Sequence, residues 1–589
     1  MNLITNLKES TAASLQSLYQ VTIQPDQVLV NATKPEFEGD YTIVLFAFVK
    51  HLGKSPDIVG NELGAAMQKA LPGIITKYNI VKGFLNFTIS NDYWLAYITN
   101  LKPNELIPAI TKKRKIMVEY SSPNTNKPLH LGHLRNNFLG WSIAEILKLQ
   151  GHEVVKTCIV NDRGIHICKS MIAWQLFANG ATPSSTHKKG DHFVGDYYVK
   201  YNDAFKAEVA GLVSRGMSQE LAEKEASIFK AAQEMLLKWE QGDTVTLDLW
   251  KKMNAWVYEG FDVTYKKIGS DFFKTYYESN TYLLGKELVE EGLAKKVFYQ
   301  KEDSSVWIDL TADGLDEKIV RRKDGTSVYM TQDIGLAQLK QKEFNTDASI
   351  YVVGDEQNYH FKVLKLICQK LQQPAADGIY HLSYGMVELP TGKMKSREGT
   401  VVDADDLVDE MIAISKEKTE TLGKVDDFTP TQLTELYNTI GLGALKFFLL
   451  RVDPKKKMIF NPEESIDFHG FTGPFIQYTH ARIKSILRKT GTTVSLTANE
   501  LLPLEKQLAI ELSSFPAVVN EAAENLDPSK IAIYTFNLAK LFNTFYAELS
   551  IANAESDVKK QLRIQLGILT AATIQKAMSV LGIAVPEQM

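Results

Sequence analysis

Cysteine is nearly absent. Three residues of 589, Cys158, Cys168 and Cys368, are too few and too scattered for a disulfide framework, and no CxxC pair offers a zinc site. Long apolar runs are missing too: no stretch approaches the roughly 18 uncharged apolar residues that a membrane span needs. The opening MNLITNLKESTAASLQ has neither the charged n-region nor the apolar h-region of a secretory signal. These absences predict a cytoplasmic protein with reduced thiols and no membrane partner. Neither sign of charge dominates, since 66 Lys and Arg face 70 Asp and Glu for a net charge of −4. That excludes a histone-like or polybasic protein, and any contact with nucleic acid must come from local basic patches. With only 36 Gly and 19 Pro, a collagen-like, low-complexity or disordered chain is excluded as well. What is present is 44% hydrophobic residues over 589, enough for about three to five domains with cores of their own.

Along the chain, residues 1 to about 95 mix a helical opening with apolar runs and the strand-like GFLNFTI from Gly83 to Ile89, which predicts a small α+β module. A polar, Pro-containing stretch from Asn100 to Lys115 reads as a linker. From Ile116 the pattern becomes strand, loop, helix, strand: KIMVEY is apolar, SSPNTNKP is turn chemistry, and Leu139, Ile143, Ile146 and Leu147 follow at helical spacing. Gly151 stands where a C-cap glycine belongs. The β-branched EVVKTCIV then completes one βαβ unit ending at Gly164. Residues 165 to about 325 predict a long, mostly helical insertion. A second strand–loop–helix unit begins at SIYVVGDEQ, Ser349 to Gln357, and reaches a strand near IYHLSYGMVEL. Beyond Asp405 the periodicity is helical and predicts a helical C-terminal region.

Two segments carry chemistry. Asn124 to His133, NTNKPLHLGH, lies between a strand and a helix, where parallel sheets bind ligands and helix N-termini offer N–H groups to anions. A lone histidine is more often a satisfied structural residue. Paired as HxGH at such a turn, His130 and His133 can donate to a phosphate as charge builds, and Gly132 lets adenine or phosphate approach the backbone. In GKMKSREGT, Lys393, Lys395 and Arg397 lie within five residues on a glycine-flanked loop able to close over a polyphosphate. An exposed basic turn is the alternative. No GxxxxGK[ST] is present, and Gly441-Leu442-Gly443 does not continue as a dinucleotide fingerprint.

HLGH on the first unit and a KMKSR loop after the second resemble class I aminoacyl-tRNA synthetases, whose signatures read HIGH and KMSKS. The resemblance sharpens to the arginyl-tRNA synthetase family, because VEYSSPNTNKPLHLGHLR, SVYMTQDIGLA, YVVGDEQNYHFK, GPFIQYTHARIKSILRK and the terminal LGIAVPEQM look like that family's blocks, in its order. With GFLNF the match spans nearly the whole chain.

The resemblance implies an α/β, Rossmann-like parallel-sheet catalytic domain at 116–404, with the helical insertion inside it. It implies an α+β N-terminal module at 1–100 contacting tRNA, a helical connector at 405–460, and an all-α anticodon-binding bundle at 461–589. It implies ligation of arginine to tRNA(Arg) through an arginyl-adenylate, with ATP arriving as its Mg2+ complex, no protein-bound metal, and a monomer as the working unit.

Residue by residue, Glu119, Tyr329 and Asp333 match positions that hold the substrate guanidinium, and Asn124 and Gln357 those near its α-amino and carboxylate groups. The chemistry agrees: a planar five-donor guanidinium suits buried carboxylates in fork geometry, which lysine cannot satisfy. Tyr329 and Asp333, four apart, share a helix face. His130, Gly132, His133, His360, Met394, Lys395 and Ser396 are implied at ATP. The chain departs from KMSKS, since either Lys395 or Ser396 can stand at the position of the second lysine. Lys127 is implied to supply the missing charge alongside Lys393 and Lys395. Arg482, Lys484, Arg488 and Lys489 form the one cationic stretch of the C-terminal region and are candidates for tRNA. Tyr478, Phe542, Phe545 and Tyr546 are candidates for stacking on splayed bases, with core packing as the alternative role. A nucleotidyltransferase also uses HxGH on a similar fold but needs no large helical RNA-reading tail, and a non-catalytic RNA-binding relative would not need the intact motifs.

Overall fold

The computed structural model describes residues 3–34, 36–107, 110, 112–326, 328–388, 390, 402–422, 428–492, 494 and 496–589. The N-terminal module is α+β: the helices Leu3–Tyr19 and Pro56–Ala70 pack on an antiparallel sheet ordered Val30–Ala32, Tyr41–Val44, Phe84–Ile89 and Ile75–Val81. The expected GFLNFTI strand is the third of these. It alternates buried Leu85 and Phe87 with residues of the other face, and Gly83 turns into it at φ +80°, a left-handed value that favours glycine.

The central sheet has five parallel strands in the order Ile379–Tyr384, Ala348–Gly354, Lys115–Glu119, Glu153–Val160 and Lys274–Tyr277. The three inner strands, Ala348–Gly354, Lys115–Glu119 and Glu153–Val160, are covered on both faces and read as largely apolar runs rather than alternations. The chain starts at Lys115–Glu119, winds outward through Glu153–Val160 and Lys274–Tyr277, and then returns on the other side with Ala348–Gly354. The winding direction therefore reverses between the first strand and Ala348–Gly354, the place where such sheets bind ligands. The helix Leu131–Gln150 fills the first crossover. It buries thirteen of its residues, Arg135, Asn136, Asn137 and Ser142 among them, and ends at Gly151, left-handed at φ 110° as expected.

Two expectations are corrected. The insertion is helical from Ile165 to Ile268 and again at Glu278–Thr281 and Lys286–Ala294, but Lys274–Tyr277 joins the central sheet, and Tyr299–Gln300, Val306–Ile308 and Lys318–Arg321 form an antiparallel sheet. The connector is not wholly helical either, because Met458–Ile459 pairs with Val387–Glu388. Strands of two to four residues are too short to show a period of two, and their pairing partners alone define them. The C-terminal helices Gly473–Thr490, Pro503–Asn525, Ser529–Glu548 and Asp557–Val580 share a core that includes Leu512, Phe515, Leu538, Phe542, Phe545 and Leu566. Lys506 joins this bundle to the N-terminal module through Asp40 at 2.7 Å. Among the described residues, no helix is long and apolar enough to cross a membrane.

Candidate active site

The first strand ends at Glu119 and the chain turns sharply at Ser121, whose φ of 68° is left-handed, a conformation a non-glycine residue keeps only when its surroundings hold it. They do: the Ser121 N–H donates to Asn136 Oδ1 at 2.6 Å, and the Ser121 hydroxyl lies 2.7 Å from that of Tyr265. Asn136 also donates to Val352 O at 2.7 Å, so one side chain of the Leu131–Gln150 helix pins the ends of both strands that flank the reversal point.

His130 is the N-cap of that helix. Its Nδ1 accepts from the Gly132 N–H at 3.1 Å, while its own N–H donates to His133 Nδ1 at 3.1 Å, a reciprocal arrangement analogous to a capping box. The ring centroids are 3.9 Å apart. A Cβ on Gly132 would lie 3.0 Å from His130 Cε1, so the glycine makes room for the imidazole itself. With each Nδ1 accepting, the neutral rings carry their proton on Nε2, where it is free to donate. Burial, reinforced by the Lys127 ammonium, pushes the His130 pKa down to about 3; burial likewise holds that of His133 well below the usual range, with His130 and Lys127 adding to the effect. Both imidazoles are therefore neutral donors at neutral pH.

Backbone contacts fix the turn against residues 402–404: Leu131 N–H donates to Val402 O at 3.2 Å and Ala404 N–H to Leu129 O at 3.0 Å. Arg135, fully buried, donates to the carbonyls of Gly385, Met386, Pro454 and Lys456. Lys393, Met394, Lys395 and Ser396 lie outside the described residues.

The expected arginine residues fall into two groups. Glu119 ends the strand Lys115–Glu119, while Tyr329 and Asp333 lie four apart on the helix Tyr329–Phe344. Glu119 is buried, but its Oε2 is already bonded to Lys340 and, at 3.2 Å, to Thr157. Asp333 Oδ2 lies 2.6 Å from His360 Nε2, so the structure brings a residue expected at arginine together with one expected at ATP. Tyr329 is 73% exposed. Asn124 bridges Asn161 next to the HLGH turn, and Gln357 ends the 3-10 turn after Ala348–Gly354; both side chains are exposed.

Sequence reasoning missed three groups here. Lys340 continues the Tyr329 and Asp333 face seven residues after Asp333, a signal the helical spacing carried. Asp162, 1% exposed, accepts from the Tyr258 hydroxyl and from the N–H and hydroxyl of Ser279, all within 2.8 Å. Glu278 stands near Arg163, Asp162 and Asp333. Burial raises its carboxyl to about 7, with the Arg163 guanidinium opposing and the two Asp charges adding.

In the C-terminal bundle the aromatic candidates divide. Phe542 and Phe545 are fully buried, so they are core residues and not base platforms. Tyr546 is partly exposed, and Tyr478 lies under the Arg482 guanidinium at 4.9 Å. Of the cationic stretch, Arg482 donates to Asn543 at 2.6 Å, Lys484 pairs with Glu587 at 2.9 Å, and Arg488 donates to Glu587 O at 3.0 Å. Two of these cations thus fasten the C-terminal tail. Lys489 is exposed.

Three family descriptions match the chain: "tRNA synthetases class I (R), catalytic domain" over residues 98–461, "DALR anticodon binding domain" over 476–589, and "Arginyl tRNA synthetase N terminal domain" over 5–89. The arginine–tRNA ligases of Amoebophilus asiaticus and Bacteroides thetaiotaomicron are 51% and 50% identical to it, each aligned over the whole of both chains. The arginyl-tRNA synthetase structure of Thermus thermophilus superposes with a TM-score of 0.82 at 24% identity over the full length of both chains, a likeness of fold. With the paired imidazoles at the reversal point of a parallel sheet and a helical C-terminal domain behind it, the chain belongs to the arginyl-tRNA synthetases, a family of class I aminoacyl-tRNA synthetases.

Proposed function

We propose that His130 and His133 face the phosphates of ATP in the first of two steps by which the chain ligates arginine to tRNA(Arg). In that step the arginine carboxylate attacks the α-phosphate of Mg-ATP in line, forming arginyl-adenylate and releasing pyrophosphate; the 2′-hydroxyl of the terminal adenosine of the tRNA then attacks the adenylate. The observation that carries the reading is the pair of neutral imidazoles whose Nε2–H groups are free to donate at a helix N-terminus. Phosphoryl chemistry asks chiefly for positioning and for neutralising charge, and Lys127, which already acts electrostatically on both imidazoles, suits that task together with Lys393 and Lys395. His360 and Gly132 complete the ATP side, with Met394 and Ser396 from the lysine-rich segment.

Glu119, Tyr329 and Asp333 read the guanidinium, while Asn124 and Gln357 take the α-amino and carboxylate groups. Rejecting an amino acid that lacks the guanidinium leaves Glu119 Oε1, the oxygen not taken by Lys340 and Thr157, without its donor in a buried site, a penalty that discriminates without an editing domain. The N-terminal module at 1–100 and the bundle at 461–589, joined to each other through Lys506 and Asp40, contact tRNA beside the catalytic domain at 116–404, the bundle by stacking and edge contacts to the anticodon. Magnesium enters as part of the nucleotide substrate, and the protein acts as a monomer.

The test is ATP–pyrophosphate exchange by the full chain with each amino acid in turn, with and without total tRNA. Exchange is expected with arginine alone and only when tRNA is present. Exchange supported equally by lysine would overturn the guanidinium site; exchange without tRNA would overturn the coupling of activation to tRNA.

A further inference from the structure

Residues 402–405 stand between the HLGH turn and the helical insertion. On one side their backbone pairs with Leu129 to Leu131, Asp403 bridging His130. On the other side they meet charged groups of the insertion. Lys189, the N-cap of the helix Gly190–Ser214, places Nζ 2.6 Å from Asp405 Oδ2, 3.0 Å from Asp191 Oδ2 and 2.5 Å from Thr264 Oγ1. His192 Nε2 lies 3.2 Å from both Asp403 Oδ2 and Asp405 Oδ2. Asp403 uses its other oxygen, Oδ1, to cap the helix Ala404–Leu422, accepting from the N–H groups of Asp405 at 2.8 Å and Asp406 at 3.3 Å.

The donor atoms of Asp191, His192 and Asp405 lie close enough together to hold a metal ion. Lys189 already bonds to two of these three residues, so the cluster is closed by a cation of the chain itself. The same helix touches the turn directly, because a Cβ on Gly195 would lie 2.8 Å from Pro128 Cδ and 3.6 Å from Lys127 Cα. The insertion thus reaches the HLGH turn by two routes, one through packing on Lys127 and Pro128 and one through charge on residues 403 and 405.

We infer that Lys189, His192, Asp403 and Asp405 form a brace by which the helical insertion positions the HLGH turn, making Lys189 a positioning residue for the activation step although it does not touch ATP. The inference rests on the assignment of His130 and His133 to the phosphates. Its physical basis is that displacing a reacting group by about 1 Å costs up to roughly 10²-fold in rate. The brace sets the path of residues 402–404, and the imidazoles follow through two backbone hydrogen bonds, Leu131 N–H to Val402 O and Ala404 N–H to Leu129 O. A displaced turn disturbs the chemical step more than the binding of arginine, whose expected contacts Glu119 and Asp333 are held by Lys340, Thr157 and His360 and not by residues 402–405.

Full-length Lys189→Met, Lys189→Arg, Thr264→Val and His130→Asn variants, assayed for arginine-dependent exchange in the presence of tRNA and for thermal unfolding, test this. Lys189→Met is expected to lower kcat by about 10- to 100-fold with the arginine KM within about twofold of normal, and Lys189→Arg to recover most of it. Thr264→Val, which removes only one hydroxyl from the cluster and keeps the side-chain shape, is expected to show the same split at a few-fold. If Lys189→Met fails to fold, Thr264→Val and Lys189→Arg decide. Normal kcat in the folded Lys189 and Thr264 variants, with His130→Asn inactive, overturns the brace alone. Normal exchange by His130→Asn overturns the underlying assignment of the imidazoles.

Discussion

Lys340 donates its ammonium to the Glu119 carboxylate at the carboxyl end of the central sheet, the two side chains 3% and 8% exposed. The rings of Tyr276 and Tyr351 flank the ammonium, each centroid 5.3 Å away. The Lys340 and Thr157 bonds both go to Oε2, which leaves Oε1 to take a guanidinium N–H. Removing one partner of a buried ion pair leaves an uncompensated charge and costs about 3–5 kcal/mol. Lys340→Met is expected to lose that much stability, seen as a lower unfolding midpoint. Adding Glu119→Gln is expected to restore most of it while raising the arginine KM. A single variant as stable as the parent would contradict the pairing.

Asp333 meets His360 at 2.6 Å, so a substrate guanidinium has to share or displace that contact. Asp333→Ala is expected to lower kcat/KM for arginine by about two orders of magnitude, from one charged hydrogen bond of roughly 1.5–3 kcal/mol plus the donors left unpaired. An unchanged arginine dependence in the folded variant would move the specificity site elsewhere.

Lys127 lies in the Pro-flanked turn three residues before His130, and its charge disfavours protonation of both imidazoles. Charge that builds on the α-phosphate gives its ammonium more to do in the transition state than in bound ATP. Lys127→Ala is expected to lower kcat by roughly 10²–10³ with little change in the ATP KM. Lys127→Arg is expected to rescue only in part, since a planar fork does not replace a compact ammonium. A raised tRNA KM, a shallower salt dependence and a near-normal kcat at saturating tRNA would instead make Lys127 a tRNA contact.

The imidazole pair sets a pH dependence of defined sign. Because the folded pKa values lie below the ordinary 6.5, the unfolded chain takes up protons that the folded one refuses. Stability is therefore expected to fall as pH drops below 6.5 toward about 3, the value for His130. His130→Asn should flatten part of that slope in unfolding midpoints measured against pH. The exchange rate should show no ionisation of these two groups between about pH 5 and 8; a histidine NMR titration near 6.5 that is lost in His130→Asn would contradict neutral imidazoles.

What the sequence by itself determined was local. The HLGH turn, the apolar strands Lys115–Glu119 and Glu153–Val160, the helix between them and its Gly151 cap were all legible, because caps, turns and long periodic runs depend on neighbours a few residues away. Tyr329 and Asp333 share a face for the same reason. The tertiary structure alone decided the partners: Lys340 reaches Glu119 across 221 positions and Lys189 reaches Asp405 across 216. It also decided that Phe542 and Phe545 are core rather than platform, and that Lys484 and Arg488 fasten the C-terminal tail. The short strands from Tyr299 to Arg321 likewise exist only through one another. A buried charge must find its counter-charge wherever the fold supplies one, and nothing in the spacing of a sequence states which distant residue that will be.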